Sequence, residues 1–406
     1  MDQDMSNEAA DPTWAEAQAT QHQLEGAQRI FGEVDQYEPI GSAPHLLRVR
    51  VGDSWYVVRE WSTGTQAAMV ELTANALKAG AAVNGVFPEP TPIKGEEVSW
   101  AVQVGVRLVS AVSWLPGRPL ARYGDFRTPD RDAIDVPLPA SAPAGDVLLE
   151  AVNAMGQFHL ATAELVSNPR AGGQSLTRLM KETEATWSQQ RRVVGDRAAN
   201  APEIRRWLRC GNRVLPVANE HLEQFVTTIG TTSVIHGNIW PVNLLTAGSA
   251  ADRKLSGIVG WSTVREGSPL IDLAQLAVHT SSWSGALAES VLAAYAETGN
   301  LSPVERRMLP VVAALDLIPR VGHLLHLAYV DDRMIGHESQ PVLRSGLKQL
   351  LVSLENLTGV LAPDTEWSQR KYQDNRRARI QQKPRTAGGT GTKPGRPRGS
   401  GRSRQG

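Results

Sequence analysis

The stretch from Val234 to Ala274, VIHGNIWPVNLLTAGSAADRKLSGIVGWSTVREGSPLIDLA, decides how the rest of the chain is read. Two short apolar runs, Val234-Ile235 and Asn243–Thr246, flank a His236-Gly237-Asn238 turn. The polar residues that follow predict a hairpin, Leu255–Trp261 predicts its returning strand, and a helix is expected to open near Leu270.

The spacing Asn238-x-x-x-x-Asn243 equals the D-x-x-x-x-N of a kinase catalytic loop, where Asp takes the substrate proton and Asn holds a metal. Ile258–Trp261 falls where a kinase places its second metal-binding Asp. Taken together, the stretch resembles the aminoglycoside phosphotransferase and choline kinase-like superfamily. That signature runs roughly V-x-x-H-G-D-x-x-x-x-N-x-L, then a strand ending in I-D-[FW], then P-x-x-D-L-A. His236, Gly237, Asn243, Leu244, Leu245, Trp261, Gly267, Pro269, Asp272, Leu273 and Ala274 all fall into register. Two positions depart from it. The family's catalytic Asp is Asn238 here, and its metal-binding Asp is Gly260.

The two losses have separate consequences. A carboxylate at position 238 would act as general base, a role worth about 10² to 10⁴ in rate. Asn can orient a hydroxyl but has no useful basicity. Gly260 offers no oxygen to Mg²⁺, a hard cation that prefers carboxylates, so Asn243 remains as a weak metal ligand. Phosphoryl transfer depends mainly on positioning and on metal neutralisation of the phosphates, so the loss at 260 is expected to matter more. Asp272 resembles the family's structural Asp and is expected to serve the loop backbone.

The bulk numbers fit that frame. A chain of 406 residues with 41% hydrophobic and 21% charged residues is long enough for a sizeable core and ordinary for a globular protein. The single Cys210 excludes a disulfide framework and a Cys-based metal site. An acidic N-terminus without an apolar core is not a secretory signal, and no run approaches a membrane span, so a cytoplasmic location and no membrane partner are expected. Zero net charge conceals an asymmetry. From Arg370 onward there are twelve Lys or Arg and one acid, Asp374, whereas the preceding residues carry a net −11.

Along the chain, residues 1–33 form a polar extension with a helix over Trp14–Ile30. The small lobe is expected over 34–117, with strands at Leu46–Val51 and Trp55–Trp61 joined by a Gly52-Asp53 turn. The resemblance puts the phosphate-covering loop at Ile40–Pro44. It puts Arg59 where the family has its phosphate-contacting Lys and Glu71, on a helix over Gln66–Ala79, as the ion-pair partner of Arg59. An ordinary hairpin arginine on a sheet edge is the alternative for Arg59. Strands follow near Val98–Gln103 and Val106–Trp114, and SAVSWLPGRPL resembles the interlobe linker, with Trp114 and Leu115 facing the adenine.

The large lobe is expected over 118–364. Arg122–Asp146 reads as an inserted loop without periodicity, and Val147–Leu165 as a core helix whose His159 is a core or capping histidine. Ser175–Val226 reads as helical with breaks near Gly195 and Ala201-Pro202, and further helices are expected over Gly285–Thr298, Pro303–Ala328 and Pro341–Leu357. Asp316, inside an apolar run, needs a partner, and Arg320 lies one helical turn on. Residues 365–406 read as a disordered basic tail able to attract nucleic acid through residues 370–404.

The expectation is therefore an α+β, two-lobed protein-kinase-like fold with a five-stranded small lobe and a mainly helical large lobe. The resemblance implies ATP or GTP as cofactor, with Mg²⁺ weak or absent. The leading function is a catalytically impaired pseudokinase that binds a nucleotide, small molecule or protein partner. Two alternatives stand beside it. One is an active ATP-dependent phosphotransferase whose carboxylates are relocated to Asp272, Glu266 or Asp252; the other is a nucleic-acid-associated platform tethered by the tail.

Overall fold

The computed structural model describes residues 12–363, apart from 41–44, 97–98, 121–123, 128–132, 137–144, 199–200, 250–251, 281 and 331–339. The expected phosphate-covering loop and the basic tail fall outside the described residues.

A mixed sheet-and-helix order follows. Helix α1 (Pro12–Phe31) precedes strands β1 (Gln36–Pro39), β2 (Leu46–Val51) and β3 (Ser54–Glu60). Then come α2 (Ala67–Val83), β4 (Pro90–Thr91), β5 (Ala101–Val104) and β6 (Arg107–Ser113). These six strands make one antiparallel sheet in the order β1-β2-β3-β6-β4, with β5 also paired to β6. The expected five strands are thus six, because Gln36–Pro39 adds an edge to β2. Alternation explains the register: Leu47, Val49, Val58 and Val109 point to one face and are fully buried. That face is covered by Ala27 and Ile30 of α1. The N-terminal helix is therefore part of the sheet domain and not a loose extension. Strand β5 begins at Ala101, later than expected.

The helical part begins after the short strand β7 (Arg118–Pro119). The segment read as a plain loop contains strands β8 (Gly124–Arg127) and β9 (Ala133–Val136), paired antiparallel. Helices α3 (Gly145–Ala161), α4 (Ala171–Ala198) and α5 (Pro202–Phe225) follow. The expected break at Gly195 does not occur: α4 runs through it. One glycine in a helix costs about 1 kcal/mol. Buried Val194 and the Trp187–Trp207 ring contact at 4.5 Å pack α4 along its length.

Strands β10 (Ser233–Ile235), β11 (Leu244–Ala247), β12 (Lys254–Ile258) and β13 (Arg265–Gly267) carry the quoted stretch. β10 pairs β13, and β12-β11-β7 form a second small sheet. Helices α6 (Leu270–Thr280), α7 (Gly285–Ala296), α8 (Pro303–Tyr329) and α9 (Gln340–Leu361) close the body. Helix α8 starts with a capping box in which Ser302 and Glu305 each bond the other's backbone N–H. Glu305 also accepts from Thr231 N at 2.9 Å, which ties that helix start to the segment entering β10. Among the described residues α8 alone is long and apolar enough to cross a membrane, but 78% of its apolar window is buried inside the body, so it is the core helix.

Candidate functional site

The loop between β10 and β11 is held from behind by α6. Asp272, fully buried in the first turn of α6, accepts from His236 N at 2.8 Å and Gly237 N at 2.7 Å. Its Oδ2 also meets His159 Nε2 at 3.2 Å. Burial works against this carboxylate. The His159 hydrogen bond and the Gly237 amide outweigh it and hold the pKa below the usual carboxylate range. Gln275, one turn on, accepts from Ile239 N at 2.8 Å. Gly237 has φ +75°, a backbone conformation that favours glycine.

His236 is a structural member of the loop. Its Nε2 lies 2.9 Å from the Val259 carbonyl, so it donates there, and its Nδ1 accepts from Asn238 N at 3.2 Å. That bonding requires the neutral ring. Burial lowers its pKa against the opposing pull of Asp272 and the backbone bonds. A histidine whose folded pKa lies below its unfolded value, about 6.5, binds its proton first in the unfolded chain. Its contribution to stability is present above about pH 6.5 and is lost as pH falls toward the folded pKa, at up to about 1.4 kcal/mol per pH unit. Thermal unfolding between pH 7.5 and 5.5 is therefore expected to show a steeper acid-side loss for the native chain than for His236→Gln. Parallel profiles would contradict this account of the loop.

At the front of the loop two residues differ from the family signature, Asn238 and Gly260. Asn238 Oδ1 accepts the indole N–H of Trp240, a group that can only donate. The Asn238 amide is thereby oriented with its NH₂ free, so the side chain offers a donor where a general base must offer an acceptor. Asn243 Nδ2 donates to the Asn238 carbonyl at 2.9 Å. Its side chain also occupies the space in front of Gly260, where a Cβ would lie 2.6 Å from Asn243 Cγ and Oδ1. Gly260 itself has φ +85°. Among the described residues no group of three or more His, Cys, Asp or Glu could hold a metal.

Asn238, Asn243 and Gly260 line a cleft of about 950 Å³ together with Arg59, Trp114 and Leu115. Five of the residues expected at the site and the lost ligand position are thus brought to one cavity. His236 and Asp272 stand behind it as supports. Glu71 does not join them. It is exposed on α2 and makes no ion pair with Arg59, which corrects the expected Lys–Glu-type pair. The guanidinium of Arg59 lies instead 5.5 Å from the Trp61 ring, and burial lowers its pKa to about 10. The carboxylates of the relocated-carboxylate alternative have other partners. Asp272 is occupied by the loop backbone, Glu266 by Ser167 and Asn168, and exposed Asp252 by Ser249; none lines the cleft.

Some residues of the site were not foreseen. Trp61 and Trp100 line the cleft from separate segments, beside Trp261 of the quoted stretch. Trp240 lies in the quoted stretch, but nothing in its spacing announces the bond to Asn238. The expected Asp316–Arg320 pair is present at 2.7 Å, and Asp316 also meets His279 Nε2 at 2.9 Å and Gln275 Nε2 at 3.0 Å. Arg320 and His279, which share the Asp316 carboxylate, both contact the Trp240 ring, at 3.7 Å and 4.3 Å from it. His159, expected in the core, is buried and bridges Tyr295 and Asp272.

A sheet-plus-helix body with a cleft between the sheet and a His-Gly-Asn loop defines a protein-kinase-like fold. Residues 37–311 match the phosphotransferase enzyme family, and the chain belongs to that family. The chain is similar in structure to an aminoglycoside phosphotransferase from Alicyclobacillus acidocaldarius, with 15% identity and a TM-score of 0.52, covering 87% of this chain and 96% of that one. It also matches a microcompartment-associated aminopropanol kinase at 15% identity and a TM-score of 0.47, over 87% of this chain and 98% of that one. A spectinomycin phosphotransferase in complex with ADP and spectinomycin matches at 12% identity and a TM-score of 0.42, over 80% and 92% of the two chains. No curated protein matches the chain in sequence.

Proposed function

We propose that this member of the phosphotransferase family binds a ligand in its interlobe cleft without a metal and does not transfer a phosphoryl group. The observation that carries this reading is the corner formed by Gly260 and Asn243. The position of the metal-binding carboxylate has no side chain, and the neighbouring amide fills the space a side chain would take. A polyphosphate would find neither the metal nor the base that the reaction uses.

The expected result is no transfer from ATP or GTP to aminoglycosides, choline or sugars above background. Asn238→Asp alone should leave it there, because the metal site is still absent. In Asn238→Asp/Gly260→Asp the second change meets a positive φ and a 2.6 Å contact with Asn243, and is expected to cost about 1–3 kcal/mol of stability. Thermal-shift titration with ATP and GTP tests the binding half. Any stabilisation, about 2.7 kcal/mol at 100 times Kd, should be the same with and without Mg²⁺. Turnover by the native chain, or a strong Mg²⁺ requirement, would overturn the reading.

A further inference from the structure

The cleft has a one-sided charge pattern. No lining residue is a carboxylate, and Arg59 is its one permanent cation among the described residues. His45 also lines it, but burial and the adjacent Arg59 charge lower its pKa and keep it neutral at pH 7. Arg59 makes no ion pair among the described residues, so its charge is partly desolvated and uncompensated. A buried or half-buried guanidinium in that state is stabilised by an incoming anion, which it can meet in bidentate fashion.

One cation sets a limit on the anion. A polyphosphate needs its several charges neutralised, usually by divalent metal. Here Gly260 and Asn243 leave no metal corner, so excess negative charge would be carried unpaired into a half-enclosed pocket, where such charges are costly.

The remaining wall is mostly apolar, with uncharged Thr73, Ser110, Ser113, Asn238 and Asn243 among its residues. Four tryptophans contribute to it: Trp61, Trp100, Trp114 and Trp261. Two of these indoles have already spent their N–H groups, Trp61 on Ser110 Oγ at 2.8 Å and Trp261 on the Ile258 carbonyl at 2.7 Å. What they offer a ligand is aromatic surface. A volume of about 950 Å³ is at the large end for a small-molecule site, roughly 300–1,000 Å³.

We infer that the cleft takes an aromatic or polycyclic apolar molecule bearing a single carboxylate- or sulfonate-like anion, with that anion on Arg59 and the apolar body against the tryptophans. The inference rests on the metal-free binding reading above, and it narrows the ligand from nucleotides to aromatic monoanions.

Two fluorescent probes test it on the full chain: anilinonaphthalene sulfonate, which is singly charged, and phenylnaphthylamine, its uncharged counterpart. The sulfonate is expected to bind at least about tenfold more tightly, the worth of one charge-assisted contact. Arg59→Gln should abolish that preference, so that the two probes bind with about equal affinity, and an unchanged circular dichroism spectrum reports that the variant is still folded. Arg59→Lys should restore most of the preference. ATP is expected to displace the sulfonate poorly, with or without Mg²⁺. Equal affinity for the two probes, or a preference that survives Arg59→Gln, overturns the inference. Tight ATP displacement without Mg²⁺ overturns it too, yet leaves metal-free binding standing. Displacement by ATP that depends on Mg²⁺ overturns the metal-free reading itself.

Discussion

Asp272→Ala is expected to lower folding stability by about 3–5 kcal/mol, the usual cost of removing one partner from a buried charged network. The carboxylate is fully buried and takes the N–H groups of His236 and Gly237 and the ring of His159. Deleting it strands two buried backbone donors, at about 1–3 kcal/mol each. Asp272→Asn keeps one acceptor oxygen and should fall between. Urea unfolding with an unchanged m-value would read the effect as a shift in midpoint. A loss under about 1 kcal/mol for the alanine variant would mean that the loop is held by something other than α6.

The second large effect is expected at Asp316. Asp316→Ala leaves Arg320 and His279 without their shared carboxylate and is also expected to cost about 3–5 kcal/mol. Burial opposes the Asp316 charge, but Arg320 and the His279 hydrogen bond outweigh it and hold the pKa well below the carboxylate range. With the folded value depressed, this stabilisation is present above the ordinary carboxylate pKa of about 3.9 and disappears as pH falls through the folded value. The change should also be felt at the site. Arg320 and His279 pack against Trp240, and Trp240 bonds the Asn238 amide. Looser Trp240 packing should appear as a shifted tryptophan emission spectrum in folded Asp316→Ala. An unchanged spectrum with full loss of stability would show that this packing is not what positions the indole. Gln275 touches both networks, through Ile239 N and Asp316 Oδ1, so the two alanine changes should not be additive.

Much of this architecture is readable in the chain because its determinants are local. The His-Gly-Asn turn, the hairpin around Gly52-Asp53 and the core helix with Leu148, Val152, Met155 and Phe158 follow from short-range periodicity and turn chemistry. The Asp316–Arg320 pair was legible for the same reason: one helical turn separates the two residues, and an isolated acid in an apolar run demands a partner. The loss of both carboxylates was legible too, through the resemblance of a single stretch to the family signature.

What the sequence could not decide were contacts between segments far apart in the chain. Glu71 has the right residue type and the right helix for a partner of Arg59. Yet the orientation of α2 on the sheet turns it to solvent and leaves the arginine in the cleft. The bond between Trp240 and Asn238 depends on where α6 and α8 hold that indole, through His279 and Arg320. The filling of the Gly260 corner by Asn243 depends on how the β11–β12 hairpin and the His-Gly-Asn loop meet. The residues thus set the turns, helices and missing charges, because those depend on neighbours within a few positions. Packing of distant segments decided which charges stayed unpaired and which faces of the tryptophans were left to the cleft.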